Sequence, residues 1–112
     1  IGIEGASRLA QSFLNLRNLR KVDFGGNSLG VEGTKTLCCG MKTLENLEEI
    51  NFASNRIGPE SAQIWREFGQ LNQTLKTINL LGNDIGDSSI AILVQGLVPS
   101  AKLEEIDFSG NS

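Results

Sequence analysis

Apolar and polar residues alternate in short stretches of this chain and recur every three or four positions in longer ones. Val22 and Phe24 alternate with Lys21 and Asp23, and the same pattern returns around Ile50 and Phe52, Ile78 and Leu80, and Ile106 and Phe108. A two-residue period puts one set of side chains in a core and the other in solvent, so each stretch predicts a short strand. Between the strands, Ala6, Leu9, Ala10 and Phe13 have helical spacing. So do Thr34, Leu37, Cys38 and Met41, then Ala62, Trp65 and Phe68, then Ile90, Leu93, Val94 and Leu97.

These elements repeat with a fixed period. Leu19, Val22, Phe24, Asn27, Leu29 and Gly30 recur 28 residues later as Leu47, Ile50, Phe52, Asn55, Ile57 and Gly58. The same interval leads to Leu75, Ile78, Leu80, Asn83, Ile85 and Gly86, and a fourth copy opens with Leu103, Ile106, Phe108 and Asn111. Strand, helix and strand in constant register imply a parallel sheet with right-handed crossovers. Strands sit about 4.8 Å apart whereas packed helices need roughly 8–10 Å, so the stack must bend. The pattern predicts an α/β fold: a curved right-handed solenoid with a parallel sheet on the concave face and helices on the convex face.

The string LxxLxLxxNxL followed by a helix-length segment resembles the leucine-rich repeat family. The period, with Gly after the final Leu or Ile and Gly5 or Gly33 three further on, is similar to the ribonuclease-inhibitor-like subclass. The resemblance covers the whole chain and implies a protein-recognition scaffold. Arrays of this subclass occur in inhibitors, activators of small GTPases, immune sensors, actin-filament caps and ciliary scaffolds. Residues 1–112 read as a single array of about four repeats, with Ile1 at the eleventh position of a repeat and Ser112 at the tenth. An excerpt of a longer array is therefore expected, or copies that stack head to tail.

Composition narrows the function. The chain has no His and only two Cys, Cys38 and Cys39, which are neighbours and so poorly placed to bridge each other. It also lacks a phosphate-binding Gly-rich loop ending in Lys-Ser or Lys-Thr and any paired metal-ligand spacing, so no enzyme, cofactor or metal is expected. A formal charge of −3 disfavours nucleic acid, and no apolar run approaches the roughly 18 residues of a membrane span. Two cysteines without a disulfide framework fit a reducing cytoplasm. Asn72-Gln73-Thr74 matches the glycosylation tripeptide, a pattern that often arises by chance.

Several residues read as structural. Asn27, Asn55, Asn83 and Asn111 stand where each strand ends, and an Asn side chain can both donate to and accept from a buried turn. Gly30, Gly58 and Gly86 suit positive φ before each helix. Trp65 takes the inward position of Leu9, Leu37 and Leu93, with its volume expected to be matched by Gly69, while Cys39 turns outward.

The strand residues facing away from the helices form three columns: Arg20, Glu48, Lys76, Glu104; then Lys21, Glu49, Thr77, Glu105; then Asp23, Asn51, Asn79, Asp107. They hold three basic and six acidic residues, which equals the whole formal net charge of −3. Signs alternate along the first column, so neighbours there could pair across the sheet. The expected function is non-enzymatic recognition of a protein with a basic surface through these columns. The alternatives are a structural segment making end-to-end contacts inside a larger assembly, or part of a GTPase-regulating or immune-sensor protein.

Overall fold

The computed structural model describes residues 2–97 and 102–111, so the expectations for Ile1 and Ser112 lie outside the described residues. The elements run α1 (Ile3–Ser12), a 3-10 turn (Phe13–Asn15), β1 (Lys21–Asp23), α2 (Gly30–Met41), β2 (Glu49–Asn51), α3 (Ser61–Leu71), β3 (Thr77–Asn79), α4 (Asp87–Leu97) and β4 (Glu105–Asp107). The four strands form one parallel sheet in sequence order. Lys21 stands opposite Glu49, Glu49 opposite Thr77, and Thr77 opposite Glu105, which is the register of the repeat. Val22, Ile50 and Ile78 point inward and are buried against the helices, with Phe24, Phe52 and Leu80 beside them. This is the α/β solenoid that the alternating pattern predicts.

Strand pairing stops after three residues because the chain turns at once, and the turns are locked by side chains. Asn55 is fully buried; its Nδ2 donates to the carbonyls of Phe24 (2.8 Å) and Phe52 (3.0 Å), and its Oδ1 accepts from the Asn27 N–H (2.9 Å). Asn83 repeats the arrangement with Phe52 O at 2.8 Å, Leu80 O at 3.0 Å and the Asn55 N–H at 2.7 Å. Asn111 does the same for Leu80, Phe108 and Asn83. Each of these asparagines thus joins its own repeat to the preceding one. After the asparagine, Gly30, Gly58 and Gly86 adopt φ of 64°, 75° and 82°. The residue before it is also left-handed, as Gly26, Gly82 and Gly110 or as Ser54 with φ 56°.

The helical layer is less regular than the sheet. A Cβ on Gly40 would lie 2.6 Å from the Cβ of Ala10, so α2 approaches α1 closely. A Cβ on Gly96 would strike the Cα of Arg66 at 2.5 Å, so α4 closes on α3 in the same way. The equivalent residue of α3 is Phe68, whose ring is buried at the α2–α3 seam. A cleft of ≈ 60 Å³ remains there, lined by Lys35, Cys38, Cys39, Lys42, Ile64, Glu67 and Phe68.

Trp65 is fully buried, with its ring edge-on to Phe52 at 4.9 Å and to Phe68 at 6.1 Å. Among the described residues its Nε1 has no hydrogen-bond partner. The expected compensation by Gly69 takes another form. A Cβ there would lie 2.7 Å from Leu97 Cδ2 and 3.0 Å from the Gly96 carbonyl, so Gly69 makes room for α4. Trp65 instead packs within a row of rings running from Phe13 through Phe24 and Phe52.

Candidate protein-recognition face

Eight of the twelve column residues lie within the strands, and the first column, Arg20, Glu48, Lys76 and Glu104, lies one residue before each of them. They divide by role. Asp23 Oδ1 accepts the Gly25 N–H at 2.9 Å, and Asn51, Asn79 and Asp107 accept the N–H groups of Ala53, Leu81 and Ser109 at the same 2.9 Å. The third column therefore closes four local turns, a function its sequence position alone did not disclose. Hydrogen bonds from the Ser109 side chain, then from its backbone N–H, hold the Asp107 carboxyl below the usual carboxylate range.

The first two columns carry the free charge. Lys21 Nζ lies 3.0 Å from Glu49 Oε2, and Lys76 Nζ lies 3.5 Å from Glu48 Oε1. Of the expected ladder Arg20, Glu48, Lys76, Glu104, only the middle rung closes within 4.0 Å. The reason is geometric: long side chains on adjacent strands have several rotamers, and each cation satisfies one carboxylate. Glu104 and Glu105 are exposed, and among the described residues no Lys or Arg amine comes within 4.0 Å of either carboxylate.

Three depressions are lined by residues of the strands and of the segments just before them. A groove of ≈ 360 Å³ crosses β1 to β3 and is lined by Lys21, Asp23, Glu49, Asn51, Thr77 and Asn79 among others. A second, of ≈ 180 Å³, gathers Arg20, Asn46, Glu48, Thr74, Lys76 and Lys102. At β4, another of ≈ 180 Å³ is lined by Leu103, Glu104, Glu105 and Ile106. The sequence reading missed Asn46, Thr74 and Lys102. Extending the columns backward gives Asn18, Asn46, Thr74 and Lys102 at the same 28-residue interval, a signal that was there to be read.

Other singled-out residues sit elsewhere. Asn72 is 8% exposed and its Oδ1 accepts the N–H groups of Thr74 and Leu75 at 3.0 and 2.8 Å, so the glycosylation tripeptide is part of a turn. Cys39 is exposed and Cys38 buried, and burial pushes the Cys38 thiol far up. No cluster of His, Cys, Asp or Glu fit to hold a metal occurs among the described residues, and no helix among them is long and apolar enough to cross a membrane.

Comparison with known proteins agrees with this architecture. No curated protein matches the chain. Among solved structures, it superposes on a Caenorhabditis elegans tropomodulin C-terminal domain with a TM-score of 0.81 at 14% identity, over 96% of this chain and 64% of that one. Leiomodin-1 Actin-Binding Site 2 gives a TM-score of 0.81 at 16% identity, over 91% of this chain and 60% of that one. The chain thus spans under two thirds of either structure, and at these identities the likeness is one of fold. A family model described as Leucine Rich repeat matches residues 15–38, 43–63 and 71–91, more than half of the sequence. With its repeat register, asparagine column and strand-helix stacking, the chain belongs to the leucine-rich repeat family.

Proposed function

We propose that this chain is a non-enzymatic recognition scaffold of the ribonuclease-inhibitor-like subclass, acting in the cytoplasm. Its strand face binds a partner protein that presents basic groups. The supporting observation is the β4 depression, where Glu104 and Glu105 are exposed beside Leu103 and Ile106 with no cation bridging them among the described residues. Carboxylates left unpaired while neighbouring ones are neutralised attract a cationic partner and raise its association rate. Leiomodin-1 Actin-Binding Site 2 has the same fold, and its name is that of a site for binding another protein. Panning a displayed peptide library against the wild type and against Glu104→Lys/Glu105→Lys tests the proposal. Basic sequences should be enriched on the wild type and lose binding to the variant and at high salt. Selected sequences that bind both proteins equally would overturn it.

A second reading, a segment that makes end-to-end contacts within a larger assembly, is favoured by one observation. Leu103, Ile106 and Phe108 are only partly buried, whereas their counterparts Leu75, Ile78 and Leu80 are buried. Sedimentation tests this: mass should rise with concentration and fall back when Phe108 is changed to Lys. A monomer at all concentrations would exclude association of the chain with itself.

A further inference from the structure

The third column has carboxylates at its ends and amides at its centre: Asp23, Asn51, Asn79 and Asp107 stand opposite one another, rung by rung, in the register of the sheet. All four are held alike, with Oδ1 accepting the N–H two residues on at 2.9 Å. That bond also decides which end of each carboxamide is left over. With Oδ1 committed to the backbone, Asn51 and Asn79 present Nδ2 as a donor, and neither Nδ2 makes a hydrogen bond among the described residues. Both asparagines line the ≈ 360 Å³ groove, as does Asp23. Asp23 and Asp107 form no ion pair among the described residues.

From this we infer that the column reads an extended segment of the partner in which two basic side chains flank a neutral hydrogen-bond acceptor at alternate positions. The inference rests on the strand-face reading and specifies its partner. Neighbouring strands are about 4.8 Å apart, so Asp23 and Asp107 stand about three spacings, roughly 14 Å, from each other. A segment laid across the strands rises about 3.4 Å per residue and turns every second side chain to the same face, so facing side chains recur at roughly 7 Å. Three of them span the column. The outer two meet the carboxylates, and the middle one falls between Asn51 and Asn79. Amide donors there favour a carbonyl, as on Gln or Asn, and disfavour a third cation, so the centre of the column rejects a uniformly basic segment. At the β4 end, Glu105 adds to the attraction of Asp107, whereas Lys21 beside Asp23 is already taken by Glu49.

Exchange of Asp and Asn tests this while keeping the turns, because both residue types close them at the same 2.9 Å. Three peptides on a common extended background are titrated by NMR. The first has lysine, glutamine and lysine at alternate positions, and the second has lysine at all three. The third is the first with one lysine moved by a single residue, onto the opposite face. The first should bind the wild type about threefold more tightly than either of the others and shift the side-chain NH2 signals of Asn51 and Asn79. Asp23→Asn/Asp107→Asn should erase the difference between the first and third peptides. Asn51→Asp/Asn79→Asp should turn the preference to the three-lysine peptide. If the wild type binds the second or third peptide as well as the first, while binding still falls in Glu104→Lys/Glu105→Lys, the inference falls and the strand-face reading stands. If none of the peptides binds, or binding is unchanged in Glu104→Lys/Glu105→Lys, the strand-face reading itself falls.

Discussion

Phe68 faces Cys38 across the seam between α2 and α3, at the level where Gly40 meets Ala10 one repeat earlier and Gly96 meets Arg66 one repeat later. A ring standing where glycine stands in the adjoining repeats holds this seam open, and the ≈ 60 Å³ cleft is the result. The glycine seams have the opposite design, with helix backbones in contact. Gly40→Ala therefore sets about 1 kcal/mol of helix propensity against a Cβ that would sit 2.6 Å from another carbon. Overpacking wins, and the variant should lose about 1–2 kcal/mol in urea denaturation. A midpoint equal to or above wild type would refute the close approach.

Asn83→Ala should be among the most damaging single changes on the sheet side. It strips the acceptor from the Asn55 N–H and the donor from the Phe52 and Leu80 carbonyls, all inside a fully buried turn. Each orphaned group costs about 1–3 kcal/mol, and the total should exceed about 3 kcal/mol. Asn27→Ala, at a partly buried turn, should cost less. Equal losses at the two sites would contradict the ladder.

Ser54 and Gly82 occupy one column, both left-handed, at φ 56° and 65°. A Cβ on Gly82 would meet nothing nearer than Ser54 Oγ at 3.5 Å, so Gly82→Ala isolates backbone strain from crowding. It should destabilise by about 1 kcal/mol, and Ser54→Gly should stabilise by about half that, since glycine also loosens the unfolded chain. Thermal unfolding of the pair gives the answer, and shifts of the same sign would exclude this account.

The Cys38 thiol gives the fold an alkaline limit. Burial raises its pKa far above the ordinary 9.0, with the Cys39 charge adding to the rise and Lys42 opposing it. A group whose folded pKa is raised supports folding fully below its unfolded value. As pH climbs past 9.0 toward the folded value, the unfolded thiol ionises, the buried one resists, and stability is lost. Stability against pH should therefore fall above pH 9.0 in the wild type and more gently in Cys38→Ala, read by denaturant titration at each pH. Parallel curves would show that Cys38 ionises freely. Iodoacetamide should label the exposed Cys39 in the folded protein and Cys38 only after unfolding.

The repeat, the parallel register and the asparagine column were legible in the sequence because each depends on spacing along the chain, and a constant interval of 28 reports spacing directly. Inward placement of Trp65 followed from the same alignment. The partner of Gly69 did not, because alignment compares a residue with its equivalents and not with what lies across an interface. For the same reason the column of Phe68, Gly40 and Gly96 passed without comment, although its variation sets the helix spacing. On the sheet face, position identified the charged columns. Which lysine meets which glutamate depends on rotamers, which spacing along the chain does not report.

The bond from the Asn27 N–H to Asn55 Oδ1 and its successors also make the length of this chain a quantised variable. A single residue inserted between a strand and its asparagine would leave one repeat out of phase, uncovering buried polar groups in that repeat and in the one before it. Gain or loss of whole 28-residue units leaves every asparagine opposite its donor. Drift in such a gene is thus tolerated in two forms, substitution within the columns and duplication or deletion of entire periods, with small insertions confined to the stretches between each helix and the next strand.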